Sequence, residues 1–380
     1  MTRGVVVVGL AFAVVLAACS GGDERPESSS EASPTQPAPS TTETEPPVRA
    51  FPAARAIRVP PGFRAEVYAR GLEHPTAMAW GPDGRLYVAQ DVGSVAAVRP
   101  LAAPVPVASG FDTPLGLAWI GRTLFVSAQG ELEALRLRGR RLVGRKRIVS
   151  DLPYGRHQQD NVVVGDDGRL YFGSGSTCDA CREKDERSAA VLSVLPNGDD
   201  LRVVARGLRN PFGLAFQPGT GRLYATVNGR DDLPTPASPE PAEILVRIEE
   251  GANYGFPDCW PSAVRKRMMG SCEGVRAPIA YLEAHSSADG LAFYTGSTFP
   301  ARYREGVFVA LWGQYASAEH GRRVDFVTLR PDGSSPPDGV VSFADGFDHP
   351  LALAVDPHGA LLVADWGRGV IYRIQAADAP

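Results

Sequence analysis

Gly71-Leu72-Glu73-His74-Pro75, followed by Trp80-Gly81-Pro82-Asp83-Gly84-Arg85-Leu86-Tyr87-Val88, is the first copy of a pattern that decides the architecture. A glycine and an apolar residue lead to a polar residue and Pro; a strand, a Pro-Asp-Gly-type turn and a second strand follow. The pattern returns as Gly110-Phe111-Asp112-Thr113-Pro114 with Thr123-Leu124-Phe125-Val126, and as Gly207-Leu208-Arg209-Asn210-Pro211 with Thr220-Gly221-Arg222-Leu223-Tyr224. It closes as Gly346-Phe347-Asp348-His349-Pro350 with His358-Gly359-Ala360-Leu361-Leu362-Val363. Looser copies run over residues 161–172 and at Gly290-Leu291-Ala292-Phe293 with Gly306-Val307-Phe308-Val309. Each unit holds short apolar strands bounded by Gly, Pro, Asn and Asp, and none could bury both faces alone. Six such units predict an all-β chain folded as a six-bladed β-propeller. Residues 63–68 read as a fourth strand ahead of the first unit, whereas the last unit ends at 371–374 without one. The N-terminal strand is therefore expected to complete the last blade. A β-sandwich with long loops is the competing architecture, but it does not require six repeats.

In a propeller the residues just before each inner strand enter the channel mouth. Here they include His74, Thr113, His157 to Asn161, Arg209, Asn210, Ser287 to Asp289 and His349. Polar groups from several blades at one opening mark a ligand site. For His74 and His349, each directly before Pro, the simpler role of turn former is the favoured one.

The chain has 380 residues and a formal net charge of −4, which argues against a nucleic-acid partner. A hydrophobic fraction of 44% excludes disorder throughout, and with 22% charged residues it is that of a soluble globular chain. Arg3 precedes an apolar run over residues 5–18, too short for a convincing membrane span, so residues 1–18 read as a signal peptide. The run ends in Leu16-Ala17-Ala18-Cys19, which resembles a bacterial lipobox; the resemblance implies cleavage before Cys19 and lipid on its thiol. Residues 19–50 carry six Ser and six Pro with almost nothing apolar, so they cannot bury a core and read as a disordered tether. Such a linker reaches on the order of 30 Å by random-coil scaling. The expected organisation is a lipid-anchored protein on the extracytoplasmic face of the cell membrane, with residues 51–380 as the propeller. Setting Cys19 aside leaves Cys178, Cys181, Cys259 and Cys272, which an oxidising compartment invites into two local disulfides. A metal site built from the four thiols is the alternative, although a spacing of twelve residues is poor for a zinc ribbon.

From His157-Gln158-Gln159-Asp160-Asn161 onward the chain resembles the soluble glucose/sorbosone dehydrogenases that use pyrroloquinoline quinone (PQQ), over most of residues 60–375. Residues 164–172 after His157, the run 207–216 and Gly251-Ala252-Asn253-Tyr254-Gly255-Phe256-Pro257 carry the resemblance. Gly175-Ser176-Thr177-Cys178-Asp179-Ala180-Cys181 is similar to the sorbosone dehydrogenase branch. The resemblance implies bound PQQ, a Ca²⁺ ion, and oxidation of a sugar hydroxyl or aldehyde hydrate by hydride transfer to the quinone, with an electron acceptor downstream. His157 would take the hydroxyl proton, since imidazole titrates near neutrality. Arg209 would stabilise charge on the quinone oxygen or pair with a carboxylate, and Asn210 would hydrogen-bond the same rim. Calcium would sit at the loop Asn228-Gly229-Arg230-Asp231-Asp232 and at the turn carrying Tyr254, with Glu240 and Glu243 as further hard oxygen donors.

The chain also departs from the family. No Lys follows Lys266, and Trp312-Gly313-Gln314-Tyr315-Ala316-Ser317-Ala318-Glu319-His320 and Asp348-His349-Pro350 stand where relatives carry late cations. Arg322 and Arg323 are the substitutes at hand, of which strand alternation points one inward. Arg156 replaces an acidic neighbour of the catalytic His, and Asp112-Thr113 stands in place of a Gln-Asn pair. Two other functions stay open at this point. One is a ligand-binding propeller without the cofactor; the other is a calcium-dependent lactonase-type hydrolase, for which Asp112, Asp160, Asp289 and Asp348 are the candidate carboxylates.

Overall fold

The structure, a computed structural model, describes residues 50–232, 239–314 and 320–378. The expected signal peptide, Cys19 and the expected tether up to residue 49 lie outside the described residues, as do residues 315–319 of the late stretch. The described strands form six four-stranded antiparallel sheets and one inserted hairpin. The inner strands of blades 1 to 6 are Pro75–Trp80, Gly116–Ile120, Gln159–Val164, Leu214–Phe216, Ala288–Phe293 and Pro350–Val355. Each lies beside the inner strand of the next blade, and that of blade 6 beside that of blade 1, so the ring closes as a six-bladed propeller.

Closure uses the N-terminal strand. Phe63–Arg70 pairs antiparallel with Val370–Ala376, with Phe63 opposite Ala376, as the outer strand of blade 6. The Phe63 ring meets Phe299 edge-on at 4.8 Å and Phe343 at 5.3 Å, joining blade 6 to blade 5. Main-chain hydrogen bonds between Arg58 and Asp345 reinforce the same seam.

Six apolar clusters fill the structure, one in each gap between neighbouring blades. Every sheet is therefore covered on both faces, and strands such as Leu86–Gln90 read as continuous apolar runs, a pattern ordinarily associated with parallel sheets. The Pro-Asp-Gly motif also has a local cause. In blade 1 the Gly81 amide bonds Arg85 O and the Gly84 amide bonds Gly81 O, with Gly84 at φ 72°. The same two bonds recur at Gly165/Arg169 with Gly168, and at Asp356/Ala360 with Gly359. Asp83 and Asp167 accept from the hydroxyls of Tyr87 and Tyr171 four residues on, tying turn to strand. The glycine that opens each repeat has its own constraint: Gly346 sits at φ 91° and a Cβ there would stand 2.1 Å from Ala56 O.

Both local disulfides are formed. Cys178–Cys181 closes a loop between the second and third strands of blade 3, and Cys259–Cys272 ties the base of the hairpin inserted in blade 4. The four-thiol metal site is thereby replaced by two covalent links.

Candidate functional site

The channel mouth is built from the segments entering the inner strands and from the loops joining second to third strands. His157 stands just before the inner strand of blade 3. Its amide donates to Ser176 O at 3.0 Å, and a Cβ on Gly175 would lie 2.3 Å from the His157 Cβ, so the imidazole is seated on a backbone that only glycine permits. Nδ1 lies 3.0 Å from Ser176 Oγ. Burial, then the charges of Arg209 and Arg156, hold the imidazole pKa down at about 3. His157 is thus neutral at physiological pH, the state a general base needs.

Arg209, from the segment entering blade 4, is buried at 4% exposure. Its Nε donates to Asp179 O at 3.0 Å, and Nη2 to Asp179 Oδ1 at 2.5 Å and Asp231 Oδ2 at 2.9 Å. Asp179 belongs to the disulfide-closed loop. Arg156 joins the same pair of carboxylates, so two guanidinium groups and two carboxylates interlock beside His157. Burial opposes ionisation of Asp179, but hydrogen bonds from Arg209 and the Asp231 amide, with the charges of Arg209 and Arg156, outweigh it and lower its pKa. Asn210 donates to Asn228 Oδ1 at 2.7 Å, and Asn228 donates to Asp289 Oδ1 at 3.2 Å. The buried Asn210 Oδ1 has no hydrogen-bond partner among the described residues.

The other expected residues divide. Gly229, Arg230 and Tyr254 line one small cavity of about 30 Å³ together with Arg209 and Asn228. The Tyr254 hydroxyl itself turns away and donates to Arg247 O. Asp232 is held by Arg230 at 2.5 Å. Glu243 accepts from the Gly229 amide at 2.8 Å, and burial pushes its pKa up to about 7. Glu240 instead caps the inserted hairpin at Ser262 and Ala263. Arg322 reaches Asp348 Oδ1 at 3.3 Å at the mouth, whereas Arg323 is engaged by Asp325 of its own strand in blade 5 and by Glu283 of the outer strand of blade 4. Asp160 and Asp289 are both fully buried, and burial raises both pKa values, that of Asp160 further through the charge of Asp289. The described residues contain one group of three potential metal-ligating side chains, Cys178, Cys181 and Glu183, and its sulfurs are spent on the disulfide. No ready-made cage of carboxylates of the lactonase kind is present among them.

Across the ring from blade 3 stands an aromatic wall that sequence reading missed. Trp366 stacks on His74 at 4.0 Å and donates Nε1–H to Asp91 at 2.9 Å; Trp312 meets His349 edge-on at 4.0 Å and Trp366 at 5.6 Å. His74 and His349 are therefore packed into the wall rather than merely turning the chain. The available signal was Trp366-Gly367 directly after a strand, at the loop position that faces the channel. His74, Thr113, Ser287 and Arg322 all hold positive φ at this rim, a backbone cost commonly found at binding sites. A cleft of about 690 Å³ lies instead on the flank between blade 3 and the 251–275 segment and includes none of His157, Arg209 or Asn210.

Residues 126–319 match the glucose/sorbosone dehydrogenase family. The chain belongs to that family. Its homology is to oxidoreductases that act on CH–OH groups. Solved structures share the propeller of this family member. The holo PQQ domain of pyranose dehydrogenase from Coprinopsis cinerea superposes with a TM-score of 0.72 at 16% identity, covering 84% of this chain and 97% of that one. The PQQ-bound aldose sugar dehydrogenase of Streptomyces coelicolor gives 0.64 at 20% identity, covering 84% and 99%. The calcium structure of a carbohydrate-active enzyme of family AA12 from Trichoderma reesei gives 0.72 at 16%, covering 89% and 100%.

Proposed function

We propose that this family member is a PQQ-dependent dehydrogenase that oxidises an aldose or sorbosone-like sugar, tethered by lipid on Cys19 to the extracytoplasmic face of the membrane. The observation that carries the reading is a neutral, half-buried His157 at the channel mouth, fixed beside the Arg209–Asp179–Asp231–Arg156 cluster. His157 accepts the proton of the sugar hydroxyl as the carbon–hydrogen bond breaks, and the product is the lactone or carbonyl compound. PQQ, when bound, supplies the acceptor for the hydride.

The residues present suit such a group. A planar tricarboxylate calls for several bidentate cations, and Arg156, Arg209, Arg230 and Arg322 all face the mouth or its adjoining loop. Arg156 and Arg322 offset the missing late Lys, moving positive charge toward blade 3 and keeping one cation in blade 5. The unpartnered Asn210 Oδ1 and the Trp366–Trp312 wall add a polar and a flat apolar contact. Ca²⁺ would be held by the loop from Gly229 to Asp232, where Asp231 and Asp232 supply hard oxygens now bonded by guanidinium groups.

Titrating PQQ into the Ca²⁺-loaded protein, followed by dye-linked oxidation of a sugar panel, tests the reading. Quinone binding with turnover on at least one sugar is expected; absence of both overturns it. A second reading, a ligand-binding propeller without turnover, rests on the same guanidinium groups already having carboxylate partners. It predicts sugar binding that survives His157→Ala with no oxidation at any quinone concentration. Lipidation is tested by Cys19→Ala, which should release the protein from the membrane fraction.

A further inference from the structure

Ser176 has a single hydroxyl proton, and two neighbours compete for it. Its Oγ lies 2.7 Å from the carbonyl oxygen of Cys178, which can only accept, and 3.0 Å from Nδ1 of His157. The proton must therefore point at the Cys178 carbonyl, and the Ser176 oxygen is left to accept from His157. That requires the hydrogen of the imidazole to reside on Nδ1. His157 Nε2 then carries the lone pair, makes no hydrogen bond within the described residues and is not enclosed among the buried unpartnered atoms.

The Cys178 carbonyl is fixed by its surroundings. Its residue is bonded to Cys181, and the Cys181 amide donates to Cys178 Sγ at 2.8 Å. Glu183 holds Thr177 at the amide (2.8 Å) and the hydroxyl (2.6 Å), and Asp179 is clamped by Arg209. Ser176 itself is fully buried, so water has no access to its hydroxyl.

We infer that the disulfide-closed loop is a positioning device: through Ser176, the Cys178 carbonyl locks His157 in the Nδ1–H tautomer and leaves Nε2 as the base. The inference rests on the proposed role of His157 for its functional meaning, but not for its test. Ser176 is fully buried and is a positioning residue that acts through the imidazole. An imidazole in the other tautomer would present an N–H, unable to take a proton, at the position where a base is needed.

The test is the ¹⁵N spectrum of the full-length protein labelled at histidine, recorded near pH 7 without quinone or sugar, with His157 assigned by its loss in His157→Gln. The wild type should show a pyrrole-type Nδ1 and a pyridine-type Nε2 as a single tautomer. Ser176→Ala should show a mixture with the Nε2–H form, and Ser176→Thr, which keeps the hydroxyl, should restore the single form. A wild-type His157 protonated on Nε2 overturns the inference without any variant. A single Nδ1–H tautomer persisting in folded Ser176→Ala overturns the role of the relay. In turnover, Ser176→Ala should lower kcat on the order of tenfold with KM little changed. Because the spectrum needs no turnover, a protein that failed to oxidise any sugar could still show the tautomer, and the two outcomes stay separate.

Discussion

The guanidinium of Arg209 and the carboxylate of Asp179 are joined at 2.5 Å across a disulfide-closed loop, thirty residues apart in sequence. Removing the carboxylate leaves a buried charge with Asp231 as its remaining side-chain partner. Asp179→Ala should cost about 2–4 kcal/mol of unfolding free energy, less than the roughly 3–5 kcal/mol for a fully buried pair broken on one side, because Asp179 is partly exposed and Asp231 remains. Asp179→Asn, which still offers an acceptor oxygen, should cost less. Urea denaturation of both variants checks the order, and equal losses would show that the charge is not what matters.

His157 should impose no acid limb near pH 6.5 on kcat/KM. Its pKa is held at about 3 by burial, then by Arg209 and Arg156. The unfolded chain binds this proton first, so stability owed to a neutral His157 is complete above about pH 6.5 and is lost as pH falls toward about 3. Arg156→Gln removes one of the charges and should move any acid limb to higher pH. A pH–rate profile of both proteins decides; a wild-type limb at the ordinary histidine value would contradict the burial argument.

Arg322 and Arg323 are adjacent and should behave differently. Arg322→Ala removes a mouth cation and should raise the Kd for PQQ on the order of tenfold or more, since a charge-assisted bond contributes about 1.5–3 kcal/mol. Arg323→Ala strips the partner from the buried Asp325 and should lower thermal stability with little effect on quinone affinity. Fluorescence titration and thermal melts on the two variants separate the roles.

Phe63→Ala should weaken ring closure. The side chain is partly buried against Phe299, Tyr303 and Phe343, so a loss of about 3 kcal/mol is expected, at the low end for a truncated Phe. Hydrogen exchange should then rise first along Val370–Ala376, its strand partner. Uniform exchange across all blades would argue instead for a single cooperative ring.

What could be read in the sequence was local. The Gly84, Gly168 and Gly359 turns each need a positive φ within a five-residue stretch, and this regularity exposes the repeats. The unpaired strand at residues 63–68 likewise announced the closure that Phe63 and Ala376 make. The partners of the site residues were not legible: Arg209 meets Asp179 and Asp231, and His74 meets Trp366, through contacts that only the ring brings about. No periodic pattern connects residues nearly three hundred positions apart. Arg156 looked like the loss of an acidic neighbour, and only the fold shows it as a member of a charge cluster.

The pairing of Phe63 with Ala376 has a consequence for how the protein is made. Synthesis delivers the outer strand of blade 6 before any other part of the propeller, and its partner Val370–Ala376 comes at the far end of the described chain. Until then the first strand has exposed edges that any other strand could capture. Blades 1 to 5 can assemble as the chain emerges, but the ring stays open and its final seam must be found across the longest loop the fold contains. The open strand is thus an aggregation hazard until the ring closes, and a folding helper that shields residues 63–70 would act on that step.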